Sequence, residues 1–156
     1  MYVRIKGLEG ELISIQVIGY SYPHSDEYWD ANWLTCDVNA KIPGFVAQFS
    51  ASLRTEELTS FYYDLIEMYD RMTGSSSMVG LESNVDIKVR MDKLGKLEWQ
   101  VKLMYPVGNG ATLEFEFSSD QSYMVELIDE LKAINMHFPI KRTTFDRRSE
   151  LCIKNL

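Results

Sequence analysis

The sequence predicts an α+β fold: mostly antiparallel β-sheet, about seven or eight strands, with two α-helices in the order strands–helix–strands–helix. Three observations carry this. Most of the chain alternates apolar and polar residues with period two, the pattern of antiparallel sheet with one face packed and the other wet. Two segments switch to helical spacing. Each switch follows directly on an alternating run, while short turn signals separate the other runs.

The elements follow in order. Met1-Tyr2-Val3-Arg4-Ile5 already alternates like a strand, and Ile13, Ile15 and Val17 continue the pattern. Cys36, Val38 and Ala40 face opposite to Thr35, Asp37, Asn39 and Lys41. Phe45, Ala47, Phe49, Ala51 and Leu53 form a longer run, and Pro43-Gly44 between these two reads as a hairpin turn. Leu58, Phe61, Tyr62, Leu65, Ile66, Tyr69 and Met72 then recur at steps of three and four residues. Thr55 is the expected N-cap, Glu56 and Glu57 occupy the first turn where the helix dipole favours them, and Gly74 with its following serines ends the helix.

The second half repeats the plan. Val85, Ile87, Val89 and Met91 alternate, then Leu97, Trp99, Val101, Leu103 and Tyr105, then Leu113, Phe115 and Phe117, joined by turns at Lys93-Leu94-Gly95 and Val107-Gly108-Asn109-Gly110. Tyr123, Met124, Leu127, Ile128, Leu131 and Ile134 make the second helical stripe. Ser118 and Gln121 have capping-box spacing, Asp120 adds a first-turn carboxylate and Pro139 stops the helix. Residue identity between the halves is weak, so the repeat is an architectural echo.

At 156 residues and 18.1 kDa the chain reads as one domain over residues 1–140, followed by a basic C-terminal tail, 141–156, docked or partly disordered. Phe145 and Leu151-Cys152-Ile153 are the tail's docking candidates. Its 46% hydrophobic and 25% charged residues are ordinary for a globular protein and argue against disorder. With no apolar run of membrane-spanning length and no signal-like start, the expected location is the cytoplasm. Cys36 and Cys152 are too few and too far apart for a metal motif or a disulfide framework, so Cys36 is expected as a buried free thiol.

The net charge of −7 is uneven. Five of the 16 Lys and Arg, but only two of the 23 Asp and Glu, lie from Lys141 onward, so residues 1–140 carry −10. A body this acidic repels phosphate backbones and disfavours direct nucleic-acid binding. It suits a cationic protein partner, and equally suits simple solubility.

Catalytic motifs are missing: no HExxH, GxSxG, CxxC or phosphate-binding glycine loop occurs, so no cofactor, metal or catalytic residue is predicted. A hydrolase built from His24 with Asp26 or Glu27 is the weakest reading, because it needs a turn histidine and a loop carboxylate to converge in a cleft. Glu114 and Glu116 read as solubilising charges on a wet strand face.

The densest recognition chemistry lies in Tyr28-Trp29-Asp30-Ala31-Asn32-Trp33-Leu34, preceded by the turn-like Tyr22-Pro23-His24-Ser25-Asp26-Glu27. Trp29 and Trp33 could plug the end of the sheet, with Asp30 and Asn32 bonding loop backbone. Alternatively Tyr28 or Trp29, framed by Asp26, Glu27 and Asp30, anchors a basic partner, since aromatics are enriched at hot spots and carboxylates steer cations. Trp33 begins the next strand and reads as structural. The candidate partner-binding residues are therefore Asp26, Glu27, Tyr28, Trp29 and Asp30.

This aromatic run, the junction Leu53-Arg54-Thr55-Glu56-Glu57-Leu58 with Phe61, and Phe117-Ser118-Ser119-Asp120-Gln121-Ser122-Tyr123 together resemble the WapI-like immunity proteins of bacteria. The resemblance implies a small cytosolic, non-enzymatic protein that neutralises a toxin domain delivered between competing bacteria. In the family's namesake system that toxin acts on transfer RNA. It implies a cognate toxin domain, basic in charge, as partner. The contrasting expectation is a small-molecule-binding or scaffold domain whose concave sheet face, lined by Trp99 and Tyr105, holds an apolar ligand. Oligomeric state is left open by the sequence.

Overall fold

A computed structural model describes residues 1–142. Two four-stranded antiparallel meanders form the frame. The first comprises β1 (Tyr2–Lys6), β2 (Leu12–Tyr20), β3 (Trp33–Ile42) and β4 (Phe45–Arg54). The second comprises β5 (Gly74–Val79), β6 (Val85–Met91), β7 (Lys96–Tyr105) and β8 (Ala111–Asp120). In both sheets the spatial order equals the chain order: a two-residue turn or a loop of four or five residues joins every neighbouring pair except β2 and β3, which twelve residues connect. At Pro43-Gly44, proline presets the first turn residue and Gly44 supplies the second at φ 83°, so Ile42 and Phe45 lie opposite each other.

The α+β expectation is met, and most alternating residues are buried as the pattern put them, with Phe45 and Tyr105 exposed at the strand ends. In β6, Val85, Ile87, Val89 and Met91 are buried while Lys88 and Arg90 are exposed. The eighth strand, β5, is the one the pattern did not show. Its sequence Gly74-Ser75-Ser76-Ser77-Met78-Val79 has low strand propensity, and only Ser76 and Met78 turn inward. Pairing with β6 holds it as a strand.

Two long helices, α2 (Thr55–Arg71) and α3 (Ser122–His137), complete the fold, with a single turn, α1 (Tyr28–Ala31), between β2 and β3. Each long helix leaves the last strand of one meander and packs beside the first strand of the other: α2 on β5, α3 on β1. The helices also pack on each other, where the Thr59 hydroxyl lies 3.1 Å from Asn135 Oδ1. This exchange covers two sheet edges. On β1 the Arg4 backbone N–H, which has no strand to bond, donates to Glu130 Oε2 at 2.7 Å, and Lys6 Nζ meets Glu126 at 2.6 Å.

Both helix starts differ from expectation. Arg54, not Thr55, is the N-cap of α2. Thr55 is the first helical residue, its N–H and hydroxyl both donating to the Asn32 carbonyl at 2.9 and 3.1 Å, while Glu57 reaches back to accept the Arg54 N–H at 2.9 Å. A tertiary acceptor thus claims the threonine. For α3 the box at Ser118 and Gln121 does not form, because Ser118 stays in β8 opposite Glu98. Asp120 instead accepts the Ser122 N–H at 2.9 Å. Within the stripes, Leu58, Phe61, Leu65, Met124, Leu127, Leu131 and Ile134 are buried, but Tyr69 and Tyr123 are exposed and Tyr62 and Ile66 are half-buried. The covered face of each helix is narrower than its apolar residues.

The inner faces of both sheets and the two helices share one hydrophobic core. Trp99 lies at its centre, 2% exposed, stacked on Phe117 with centroids 6.0 Å apart and donating from Nε1 to the Ser119 hydroxyl at 2.8 Å. An apolar ligand cradle lined by Trp99 and Tyr105 is therefore excluded: the tryptophan fills the core, and Tyr105 is at the rim beside Phe49. The outer face of β5–β7 does hold an open groove of about 600 Å³, but the residues lining it, including Ser75, Ser77, Lys88, Arg90, Glu98 and Gln100, are mostly polar.

Cys36 is completely buried, and burial first, then the charges of Asp37 and Glu57, push its thiol up to about 12. Since the thiolate is the nucleophile, Cys36 should resist a disulfide-exchange reagent at neutral pH in the native protein and react at once in denaturant. Rapid native labelling at Cys36, located by peptide mapping, would contradict this packing. Cys152, Phe145 and the remaining tail candidates lie outside the described residues.

Candidate partner-binding surface

The aromatic run is built around a buried cation. Arg54 ends β4 directly opposite Trp33 at the start of β3, so strand register alone brings the guanidinium to the indole. The turn of α1 then folds over it. The Arg54 carbon Cζ lies 4.5 Å from the Trp29 ring, 5.2 Å from Trp33 and 5.8 Å from Tyr28, and the residue is 4% exposed. Nη1 donates to the Trp29 carbonyl at 2.7 Å and Nη2 pairs with Glu56 at 2.9 Å. A planar guanidinium can stack and fork its donors at once, which an ammonium cannot. Burial pushes the Glu56 carboxyl up, but hydrogen bonds from Tyr28 and Arg54 outweigh it and hold it below the usual range.

Asn32 is the second organiser, with no exposed surface. Its amide donates to the carbonyls of Tyr28 and Lys141, both at 2.9 Å, and its oxygen accepts the Lys141 N–H at 2.7 Å. The side chain thus imitates a strand partner for the segment after α3. Around it, the Tyr20 hydroxyl donates to the Pro139 carbonyl at 2.6 Å, and the Lys141 ammonium sits 3.9 Å above the Tyr20 ring while donating to the Pro23 carbonyl at 3.1 Å. The first described residue of the basic tail therefore straps the loop that carries the aromatic run.

Of the five sequence-derived binding candidates, Tyr28 is half-buried and serves the cage. Trp29 is 64% exposed, so one face covers Arg54 and the other meets solvent. Asp26, Glu27 and Asp30 are exposed around it. His24 is exposed on the turn before them, on an open rim. Among the described residues no group of three or more His, Cys, Asp and Glu is arranged to hold a metal, and no helix is long and apolar enough to cross a membrane.

A second acidic surface adjoins the first at Glu56. α2 and α3 together contain eight Asp and Glu against two Lys and Arg. On these helices Tyr63 (63% exposed), Tyr69 (38%) and Met136 (76%) are exposed, as are Glu67, Asp70 and Asp129. Sequence spacing assigned Tyr69 to the core and so missed this face; the available signal was the excess of apolar residues over what one buried stripe can hold.

Glu57 ties this corner to the second meander: Oε1 accepts the Leu81 N–H at 2.8 Å while Oε2 holds the Arg54 N–H. Burial outweighs both bonds and pushes its carboxyl up. The folded state then binds this proton more tightly than the unfolded state, so the site is most favourable below the ordinary carboxylate range and less so as pH climbs through the raised value. The stability gap between wild type and Glu57→Gln should accordingly narrow as pH rises above the ordinary carboxylate range. A gap that widens in urea titrations over that rise would contradict the assignment.

A family model described as the immunity protein WapI-like family matches residues 4–139. No curated protein and no solved structure matches the chain.

Proposed function

This chain belongs to the WapI-like immunity protein family, and from that membership we propose that it neutralises a partner bacterial toxin domain by direct binding in the cytoplasm, without catalysis. The observation that carries the reading is the family match across both meanders and both long helices. The surface chemistry supports it: an exposed indole stacked over Arg54 costs little conformational entropy to bury, and the exposed Asp26, Glu27 and Asp30 flank it in the chain. The partner face that fits is basic, with an apolar pocket for Trp29. An acidic plug of this kind would cover a cationic groove that otherwise accepts nucleic acid, and would not itself bind nucleic acid.

The test is capture of the toxin domain encoded immediately upstream, followed by co-expression. Binding at or below about micromolar Kd and rescue of growth are expected, with association slowing as salt rises. Failure to bind any neighbouring toxin candidate at micromolar concentration would end the proposal.

A further inference from the structure

The four sheet edges are not protected alike. β1 is covered by α3 and β5 by α2. β8 carries Glu114, Glu116 and Asp120, charges of the kind that keep an open edge from pairing. Among the described residues β4 has neither device. From Phe45 to Leu53 it contains no Lys, Arg, Asp, Glu or Pro, and among the described residues its only strand partner is β3. Because the hairpin makes Ile42 and Phe45 a bonded pair, the odd-numbered residues of β4 bond to β3. The backbone N–H and C=O groups of Val46, Gln48, Ser50 and Ser52 therefore point away from the sheet. At the start of the strand the surface between the two sheets opens into a groove. Phe45 (62% exposed), Val46 (69%) and Tyr105 (53%) stand at this apolar groove of about 280 Å³, which Ala47, Leu103 and Leu113 also line.

We propose that β4 is a self-association edge: a second copy of this chain pairs with it antiparallel about a twofold axis, joining two four-stranded sheets into one of eight. Charge selects this occupant. A cationic partner is drawn to the acidic loop and helices, whereas two copies whose residues 1–140 each carry −10 approach most easily where both are neutral. The outer face next to the edge is neutral as well, with Thr35, Asn39, Gln48, Ser50 and Ser52 around one Asp37 and one Lys41. Two identical strands running antiparallel are self-complementary by symmetry, and the covered or charged state of the other edges stops growth at two. Nine paired residues make a seam about 30 Å long, at the small end of specific interfaces, so the dimer should dissociate in the micromolar range.

Sedimentation equilibrium on the full chain, from about 5 to about 500 µM, tests this. The expected result is a rise from 18.1 kDa towards twice that mass. Val46→Lys and Gln48→Lys, both at exposed outward positions, should each weaken the dimer at least about tenfold with an unchanged melting temperature. Ile18→Lys, exposed on β2 away from the seam, should leave it intact. A wild type that stays monomeric at the highest concentration overturns the proposal, as does a dimer indifferent to lysine at both 46 and 48. Monomeric protein whose lysine variants lose toxin capture would assign the edge to a partner strand and equally overturn self-pairing. The mass measurement involves no toxin, so its outcome is independent of the proposed immunity function.

Discussion

Arg54→Ala is expected to lower the unfolding free energy by about 3 kcal/mol, the scale for removing one member of a buried, hydrogen-bonded ion pair. The side chain is nearly inaccessible, and three separate contacts disappear together: the stack with Trp29, Trp33 and Tyr28, the bond to the Trp29 carbonyl, and the pair with Glu56. Glu56 is left partly buried without its cation, and α1 loses the group it folds around. Arg54→Lys should recover less than half of the loss, because an ammonium keeps the charge but neither stacks flat nor forks its donors. Urea unfolding followed by tryptophan fluorescence and circular dichroism measures both variants. A loss below about 1 kcal/mol for alanine would mean that the cage is packing decoration around a dispensable charge.

Trp29→Ala should weaken toxin capture by about 30-fold or more, the 2 kcal/mol threshold of a hot spot, while costing the free protein only about 1 kcal/mol of cation–π contact. The two readouts separate recognition from folding. Reversing the surrounding charge with Asp26→Lys, Glu27→Lys and Asp30→Lys together should act differently: association slows and loses much of its salt dependence, while dissociation changes less. Surface plasmon resonance against the toxin resolves the two rates. If Trp29→Ala binds like wild type and Tyr63→Ala does not, the interface lies on the acidic helical face instead of the aromatic loop, and the five loop residues are structural.

Legibility differed by element according to how local its cause was. β6 and β7 were readable because every second residue is branched, aromatic or long and apolar, and the intervening lysines, arginine and glutamate mark the wet face. β5 was not, because three serines and a glycine carry no alternation, and its strand state comes from the hydrogen bonds β6 supplies. Thr55 and Ser118 both had the right local chemistry for helix caps, yet the Asn32 carbonyl claimed the first and β7 held the second in its ladder. Such competition is invisible in a window of a few residues.

The site divides in the same way. Trp29, Asp26, Glu27 and Asp30 could be named from composition because exposed turns concentrate polar residues and a tryptophan there is conspicuous. Arg54, the residue that arranges them, could not. It sits 25 positions from Trp29, and only the pairing of β3 with β4 brings it under the indoles. Asn32 likewise read as a loop polar residue, whereas its role is to grip Lys141 across 109 positions.

Period and turn chemistry were enough to settle seven of the eight strands and both long helices, since these arise from neighbours a few residues apart, and residue counts alone set the acidic character of the body. The strand order of each sheet, which helix covers which edge, which aromatic is core and which is surface, and why β4 is neither covered nor charged among the described residues depended on the tertiary structure. Those outcomes are decided by burial and by competition for hydrogen-bond partners between segments distant in the chain, where energies of a few kcal/mol outweigh any local preference.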